Sequence, residues 1–210
     1  HHSATHLLQS ALKMVLGDSV SQAGSLNDTS RLRFDFTYPK AMTTAQIDEV
    51  EDLVNSMISR GIAGNVEELP IDQAKNKGAI AMFGEKYGDM VRVVSFSDVS
   101  VEFCGGTHVK NTSDIGSFYI IKESGVSAGV RRIEAVCGTA AIAYTKEVIT
   151  AMNEIKAEIK NNDVIAGIKK LKEQIKDLKR EVETAQNQTS APISEEVIGN
   201  TKVVVAVVEK

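Results

Sequence analysis

Four side chains in this sequence are of types that bind a metal ion, and they fall into two pairs with one spacing. His2 and His6 stand at i and i+4 of a stretch with helical periodicity, so their rings lie one turn apart on one face. Cys104 and His108 repeat the interval in Cys104-Gly105-Gly106-Thr107-His108. The two glycines let the backbone turn tightly enough for thiol and imidazole to face one point. Three imidazoles and a thiolate suit zinc, which takes nitrogen and sulfur together. Each piece alone has a plainer reading. His1-His2-Ser3 also reads as the end of an affinity tag, and a lone helical His6 is more often a hydrogen-bonded residue. A lone Cys104 is more often a small buried hydrophobe, which is how Cys137 is read. Together they use every histidine but His1 and point to a shared Zn2+ site. With four protein donors such a site is closed and structural; with three and a water it is a catalyst, and the spacing leaves both open. Ser3 stands where zinc peptidases of the H-E-x-x-H type carry their general base, which argues against peptide hydrolysis by that route.

Helices and strands must bring these residues together. His2 to Leu16 reads as a helix with Leu7, Leu8, Ala11, Leu12, Val15 and Leu16 on one face and Gly17 as its stop. Arg31 to Phe36 alternates, with Leu32, Phe34 and Phe36 on the buried side. Thr43 opens a Thr-x-x-Gln capping box followed by Ile47, Val50, Val54, Met57 and Ile58 at helical spacing. Further strands are predicted at Val91–Phe96, Val99–Phe103, Gly116–Glu123 and Val130–Cys137. Strands and helices without strict alternation predict an α+β fold, an antiparallel sheet packed with helices.

The composition shifts along the chain and predicts three parts: 1–138 as the zinc-containing domain, 139–188 as a helical coiled-coil arm, and 189–210 as a linker and the first strand of a truncated C-terminal domain. In the arm, Ile168, Leu171, Ile175, Leu178 and Val182 follow the seam spacing of a coiled coil or helical hairpin. The lysines and Arg180 around the seam, interleaved with Glu173, Asp177 and Glu181, read as a solvated face or as a handle for phosphate or a partner helix. Asn187 to Pro192 looks like a linker, and Val203–Val208 like one buried strand. A lone strand at the chain end suggests a piece of something longer.

The 210 residues carry 42% hydrophobic and 25% charged side chains with a net charge of −4. That is ordinary for a globular chain, and no apolar run approaches the roughly 20 residues of a membrane span. The negative balance argues against a chain-wide nucleic-acid footprint, though a local basic patch is compatible with it. Two cysteines form no disulfide framework and fit a reducing cytosol.

His2-Ser3-Ala4-Thr5-His6-Leu7-Leu8, Gln22-Ala23-Gly24-Ser25, Leu32-Arg33-Phe34-Asp35-Phe36, Gly84-Glu85-Lys86-Tyr87-Gly88, Cys104-Gly105-Gly106-Thr107-His108 and Gly129-Val130-Arg131-Arg132-Ile133-Glu134-Ala135 resemble, in order, the editing domain of the bacterial alanyl-tRNA synthetase family. The threonyl-tRNA synthetase editing domain shares both metal-type spacings but differs around the cysteine. The arm and final strand are similar in character to the coiled-coil arm and the oligomerisation and tRNA-binding domain that follow editing in the alanyl family.

The resemblance implies His2, His6, Cys104 and His108 as zinc ligands, with Cys104 and Gln22 in the reaction. Gln22 then positions the aminoacyl group, although its side-chain chemistry alone fits a loop-capping amide equally well, and Arg131 lies near the tRNA end. Adjacent strand residues face opposite ways, so only one of Arg131 and Arg132 can face the site, and Arg132 is expected as a surface or ion-pair arginine. Backbone N–H groups near Gly105–Gly106 or the Gly125–Gly129 turn are the expected oxyanion donors. The implied reaction is hydrolysis of the ester of tRNA(Ala) mischarged with serine or glycine, in the cytoplasm, by part of an enzyme that attaches alanine using ATP. The chain begins at the first zinc-binding helix, so the ATP site lies outside it, and by itself it is expected to edit poorly. Homo-oligomerisation through the arm or the missing domain is implied, without any membrane. The competing readings are a structural zinc module for tRNA interaction or oligomerisation, and a free-standing trans-editing protein.

Overall fold

The computed structural model describes residues 1–81, 87–189 and 194–205, with backbone alone at 187–189 and 194–195. Gly84, Glu85 and Lys86 of the quoted glycine-flanked block lie outside the described residues. The chain divides into two compact units, His1–Glu147 and Val148–Lys210.

The first unit is an α+β fold, as predicted. Helix α1 (His2–Leu16) keeps Leu7, Leu8, Ala11 and Leu12 fully out of solvent, and Gly17 ends it with a left-handed φ of 102°. Strands β1 (Gln22–Asn27) and β2 (Leu32–Thr37) pair with β7 (Val130–Cys137) and β6 (Phe118–Ser127) in an antiparallel sheet ordered β1-β2-β7-β6. The register sets Leu32, Phe34 and Phe36 opposite Ala135, Ile133 and Arg131, so one face carries the aromatic core. Phe34, Phe36 and Ile133 are fully buried, each contributing about 1.5–3 kcal/mol by removal from water.

Helix α2 (Thr44–Ser59) starts at the predicted capping box, with Thr43 Oγ1 accepting from Gln46 N–H and the Gln46 side chain accepting from Thr43 N–H. It buries Val50, Val54, Met57 and Ile58. Asn55 ties it to the sheet edge, donating to Phe118 O at 2.8 Å and accepting from Phe118 N–H at 2.9 Å.

Strand β3 (Gly64–Pro70), β4 (Met90–Phe96) and β5 (Ser100–Phe103) form a second antiparallel sheet ordered β3-β4-β5. Helix α3 (Ile71–Asn76) connects β3 towards β4, and a 3-10 turn spans Thr112–Ile115. Helix α1 packs against α2, β2 and β5. The pieces of the metal-type motifs thus lie on α1 and on the loop leaving β5.

Helix α4 (Thr139–Ile159) begins in the first unit and α5 (Val164–Thr189) lies in the second. A break separates them where Lys160 adopts a φ of 50° and Asp163 caps α5 by accepting from Ala166 N–H at 3.0 Å. Backbone helix therefore continues through Asn187–Thr189, where the sequence predicted the start of a linker. Ile168, Leu171, Ile175, Leu178 and Val182 are exposed.

Val203–Val208 is not a lone buried strand in the described part. Val203, Val204 and Val205 are 40, 51 and 49% exposed. They belong to β9 (Thr201–Val205), which pairs antiparallel with β8 (Ser194–Ile198) across a Gly199-Asn200 turn. No helix among the described residues is long and apolar enough to cross a membrane.

Candidate metal centre

The two motif pairs meet. One donor atom from each of His2, His6, Cys104 and His108 lies within 4.8 Å of the others. Cys104 Sγ is 3.4 Å from His2 Nε2 and 3.2 Å from His108 Nε2. A tetrahedron with zinc–nitrogen bonds of about 2.0–2.1 Å and a zinc–sulfur bond of about 2.3 Å has edges of about 3.3–3.6 Å; the 3.4 Å separation falls in that range and the 3.2 Å one just below it. His6 Nδ1 is buried without a hydrogen-bond partner, a costly state that a ligand would relieve.

Local structure explains why the donors converge. The helical turn stacks His2 and His6, with ring centroids 5.4 Å apart. Arg92, on β4, donates through Nη1 to the carbonyls of Cys104 and Gly106, and Cys104 N–H returns a bond to Arg92 O at 3.0 Å. The loop is thus pinned at two carbonyls two residues apart. Gly106 lies against the His2 imidazole so closely that a Cβ there would overlap the ring, while a Cβ at Gly105 would meet nothing within 4 Å. Only the second glycine of the pair is required by the close approach.

Ser3 supplies a further support. Its Oγ accepts Val109 N–H at 3.1 Å and sits 3.1 Å from His108 Nδ1. With Nδ1 engaged there, Nε2 is the nitrogen turned to Cys104. Metal-ligating histidines are oriented in this way by the partner of their other nitrogen.

The electrostatics favour neutral imidazoles. Burial, then the neighbouring His108 and His2, brings His6 down to about 3; burial, then His2 and Arg92, brings His108 down to about 4. His2 is lowered mainly by burial. Glu102 Oε2 lies 3.6 Å from His6 Nε2, and burial pushes this carboxyl up to about 7 against the opposing hydrogen bond from Ser100.

Two cavities border the cluster. One of about 640 Å3 is lined by His2, Ser25, Asn27, Arg92, Cys104 and Gly106, among others. The other, about 670 Å3, is bordered by His2, Ser3, Thr107, His108, Asp114 and Cys137. Thr5, buried on α1, donates to Asn27 Oδ1 at 2.7 Å and so braces the first cavity.

The remaining sequence candidates lie outside this group of four. Gln22 donates through Nε2 to Ser25 Oγ at 3.2 Å and lines a smaller cavity of about 150 Å3 with Gln9, Lys13 and Glu102. Arg131 lines neither of the two cavities beside the cluster. Its Nε and Nη2 bind Glu123 at 2.6 and 2.8 Å. Arg132 is in the predicted ion pair, bidentate to Asp35 at 2.7 and 2.8 Å on the opposite sheet face. Sequence reasoning missed Arg92 and the supporting role of Ser3. Period-two alternation placing Glu102 beside Cys104 was the one signal available for Glu102.

The family described as "Threonyl and Alanyl tRNA synthetase second additional domain" matches residues 91–134, from within β4 to the middle of β7. Over its whole length the chain is 83% identical to part of the alanine–tRNA ligase of Aliarcobacter butzleri (strain RM4018), covering 25% of that protein. It is 56% identical to that of Sulfurovum sp. (strain NBC37-1) and 55% to that of Wolinella succinogenes, covering 24% and 25% of them. The chain thus spans about a quarter of the length of the curated relatives it matches.

Proposed function

We propose that this chain, which fits a segment of the alanine–tRNA ligases from end to end, is the proofreading part of such an enzyme. Its reaction is hydrolysis of the ester joining serine or glycine to the terminal ribose of tRNA(Ala). The single observation that carries this reading is the convergence of three imidazoles and a thiol beside an open cavity.

A second site is needed for a physical reason. A pocket shaped for alanine cannot strongly exclude glycine, which lacks only a methyl, or serine, whose extra hydroxyl costs little in a small apolar site. A polar proofreading pocket discriminates in the opposite sense, because its partner for the serine hydroxyl stays unpaired when alanine enters.

His2, His6, Cys104 and His108 would hold zinc. When bound, zinc supplies Lewis-acid polarisation of the ester if one coordination position is open to substrate. The chain's own groups do the rest. Gln22, which lines the neighbouring smaller cavity and donates to Ser25 on the wall of this one, would orient the aminoacyl group and offer donor and acceptor to its hydroxyl. Arg92 fixes the carbonyls of Cys104 and Gly106, which holds the peptide planes that carry the N–H groups of Gly105 and Thr107, and the Gly105 N–H, turned away from Arg92, would serve as an oxyanion donor. Water adds to the ester carbonyl, the bond to the ribose oxygen breaks, and that oxygen takes up the proton. Arg131, held by Glu123 through Nε and Nη2, keeps Nη1 over Gly125 for a terminal phosphate.

The four-donor set itself favours one competing reading, a closed structural zinc without chemistry. Replacing Cys104 with Ala in an intact ligase carrying this segment separates the two. We expect serine release from mischarged tRNA(Ala) to fall sharply while aminoacylation persists; undiminished deacylation would overturn the catalytic reading.

A further inference from the structure

The side of β5 that faces α1 carries more than the thiol. Strand alternation puts Ser100, Glu102 and Cys104 on one side and Val101 and Phe103 on the other. The first three are buried, and Phe103 packs into a separate apolar cluster with Val91 and Val93. Directly across from Glu102 stands His6. Glu102 Oε1 accepts the Ser100 hydroxyl at 3.0 Å, and Oε2 lies 3.6 Å from His6 Nε2. That gap is within about half an ångström of hydrogen-bond range. The other ring nitrogen, Nδ1, is buried with no partner.

A buried carboxylate and a buried partnerless imidazole nitrogen are each unfavourable. Both are accounted for if the ring keeps its proton on Nε2, towards the carboxylate, and turns Nδ1 to an ion. We propose that Glu102 is a positioning residue: it holds His6 in the Nε2-protonated form and aims Nδ1 into the cluster formed with His2, Cys104 and His108. Ser100 fixes the carboxylate from behind, so Ser100, Glu102 and His6 form a relay of orientation from strand to helix. The cluster then has an oriented partner on each flank, Ser3 behind His108 and Glu102 behind His6. This inference rests on the zinc reading above and adds which nitrogen binds and what selects it.

The test uses the full chain and zinc alone, with affinity measured by chelator competition. Glu102→Leu is expected to weaken zinc binding about 10–100-fold, as loss of an orienting partner does. Glu102→Gln, which keeps an acceptor oxygen, is expected to stay closer to the parent than to the leucine variant. The metal-stripped Glu102→Leu protein is expected to melt no lower than the parent, because an apolar side chain replaces a buried carboxylate. A purely structural role would lower melting and binding together. Nitrogen-15 NMR of the zinc-loaded parent gives an answer independent of any variant: His6 Nε2 protonated and Nδ1 bound. Zinc on His6 Nε2, or parent-like affinity in Glu102→Leu, would overturn the proposal while leaving the metal centre standing. A parent chain that binds no zinc would overturn both.

Discussion

Ser3→Ala offers the sharpest separation of fold from metal site. Ser3 is 4% exposed, and its hydroxyl both accepts Val109 N–H and meets His108 Nδ1, each at 3.1 Å. Removing it leaves the Val109 amide without that acceptor and frees the His108 ring to rotate away from Cys104. An unpaired buried amide costs about 1–3 kcal/mol of stability. Loss of a ligand's orienting partner costs about 10–100-fold in metal affinity, equivalent to about 1.4–2.7 kcal/mol. Ser10→Ala is the matched control. Its hydroxyl lies on the same helix and donates to Val99 O at 2.6 Å, with no contact to the cluster. It should cost about 0.5–1.5 kcal/mol of stability and leave zinc binding unchanged. Thermal unfolding of stripped protein gives the first quantity and competition with a chromophoric chelator the second. Parent-like zinc affinity in Ser3→Ala, or an equal loss in Ser10→Ala, would refute the reasoning.

Gly106→Ala should weaken zinc binding at least as much, because its methyl would displace the His2 ring, whereas Gly105→Ala, with open space around it, should bind zinc like the parent in the same competition assay. Glu51 accepts Ile120 N–H at 2.6 Å, and its pKa is raised mainly by burial, with that hydrogen bond opposing. A carboxyl raised on folding binds its proton more tightly in the native state, so the stabilisation is full below the unfolded-state value near about 4.3. It is lost as pH rises through the raised native value. Glu51→Gln keeps the acceptor and lacks the titration, so its melting temperature should gain on the parent from pH 4 upwards; parallel melting curves across that range would contradict this assignment.

What was legible in the sequence was whatever local chemistry determines. The capping box at Thr43, the Gly17 stop and the alternation of Leu32, Phe34 and Phe36 each act within a few residues, and α1, α2 and β2 follow them. Strand β1, Gln22–Asn27, has no alternating pattern; it is extended because β2 supplies its partner, with an irregular register between Gln22 and Gly24. The valine run at Val203 read as buried because hydrophobicity was taken for burial. The Gly199-Asn200 pair was the available hairpin signal, and Gly199 takes the positive φ of 68° that such a turn uses. Matched spacings picked out the four side chains that the fold brings together, since a helix turn and a glycine loop both gather residues four apart. Arg92 and Ser3 were not legible, because their roles depend on backbone groups brought near by tertiary packing: the carbonyls of Cys104 and Gly106 for one, the amide of Val109 for the other.

The central claim is that one ion sits between α1 and the loop after β5. X-ray absorption at the zinc edge of the zinc-loaded chain tests it most directly. The expected result is one zinc per chain with one sulfur at about 2.3 Å and nitrogen neighbours at about 2.0–2.1 Å, the sulfur vanishing in Cys104→Ala. A chain that retains no zinc, or a first shell of nitrogen and oxygen without sulfur, would contradict it.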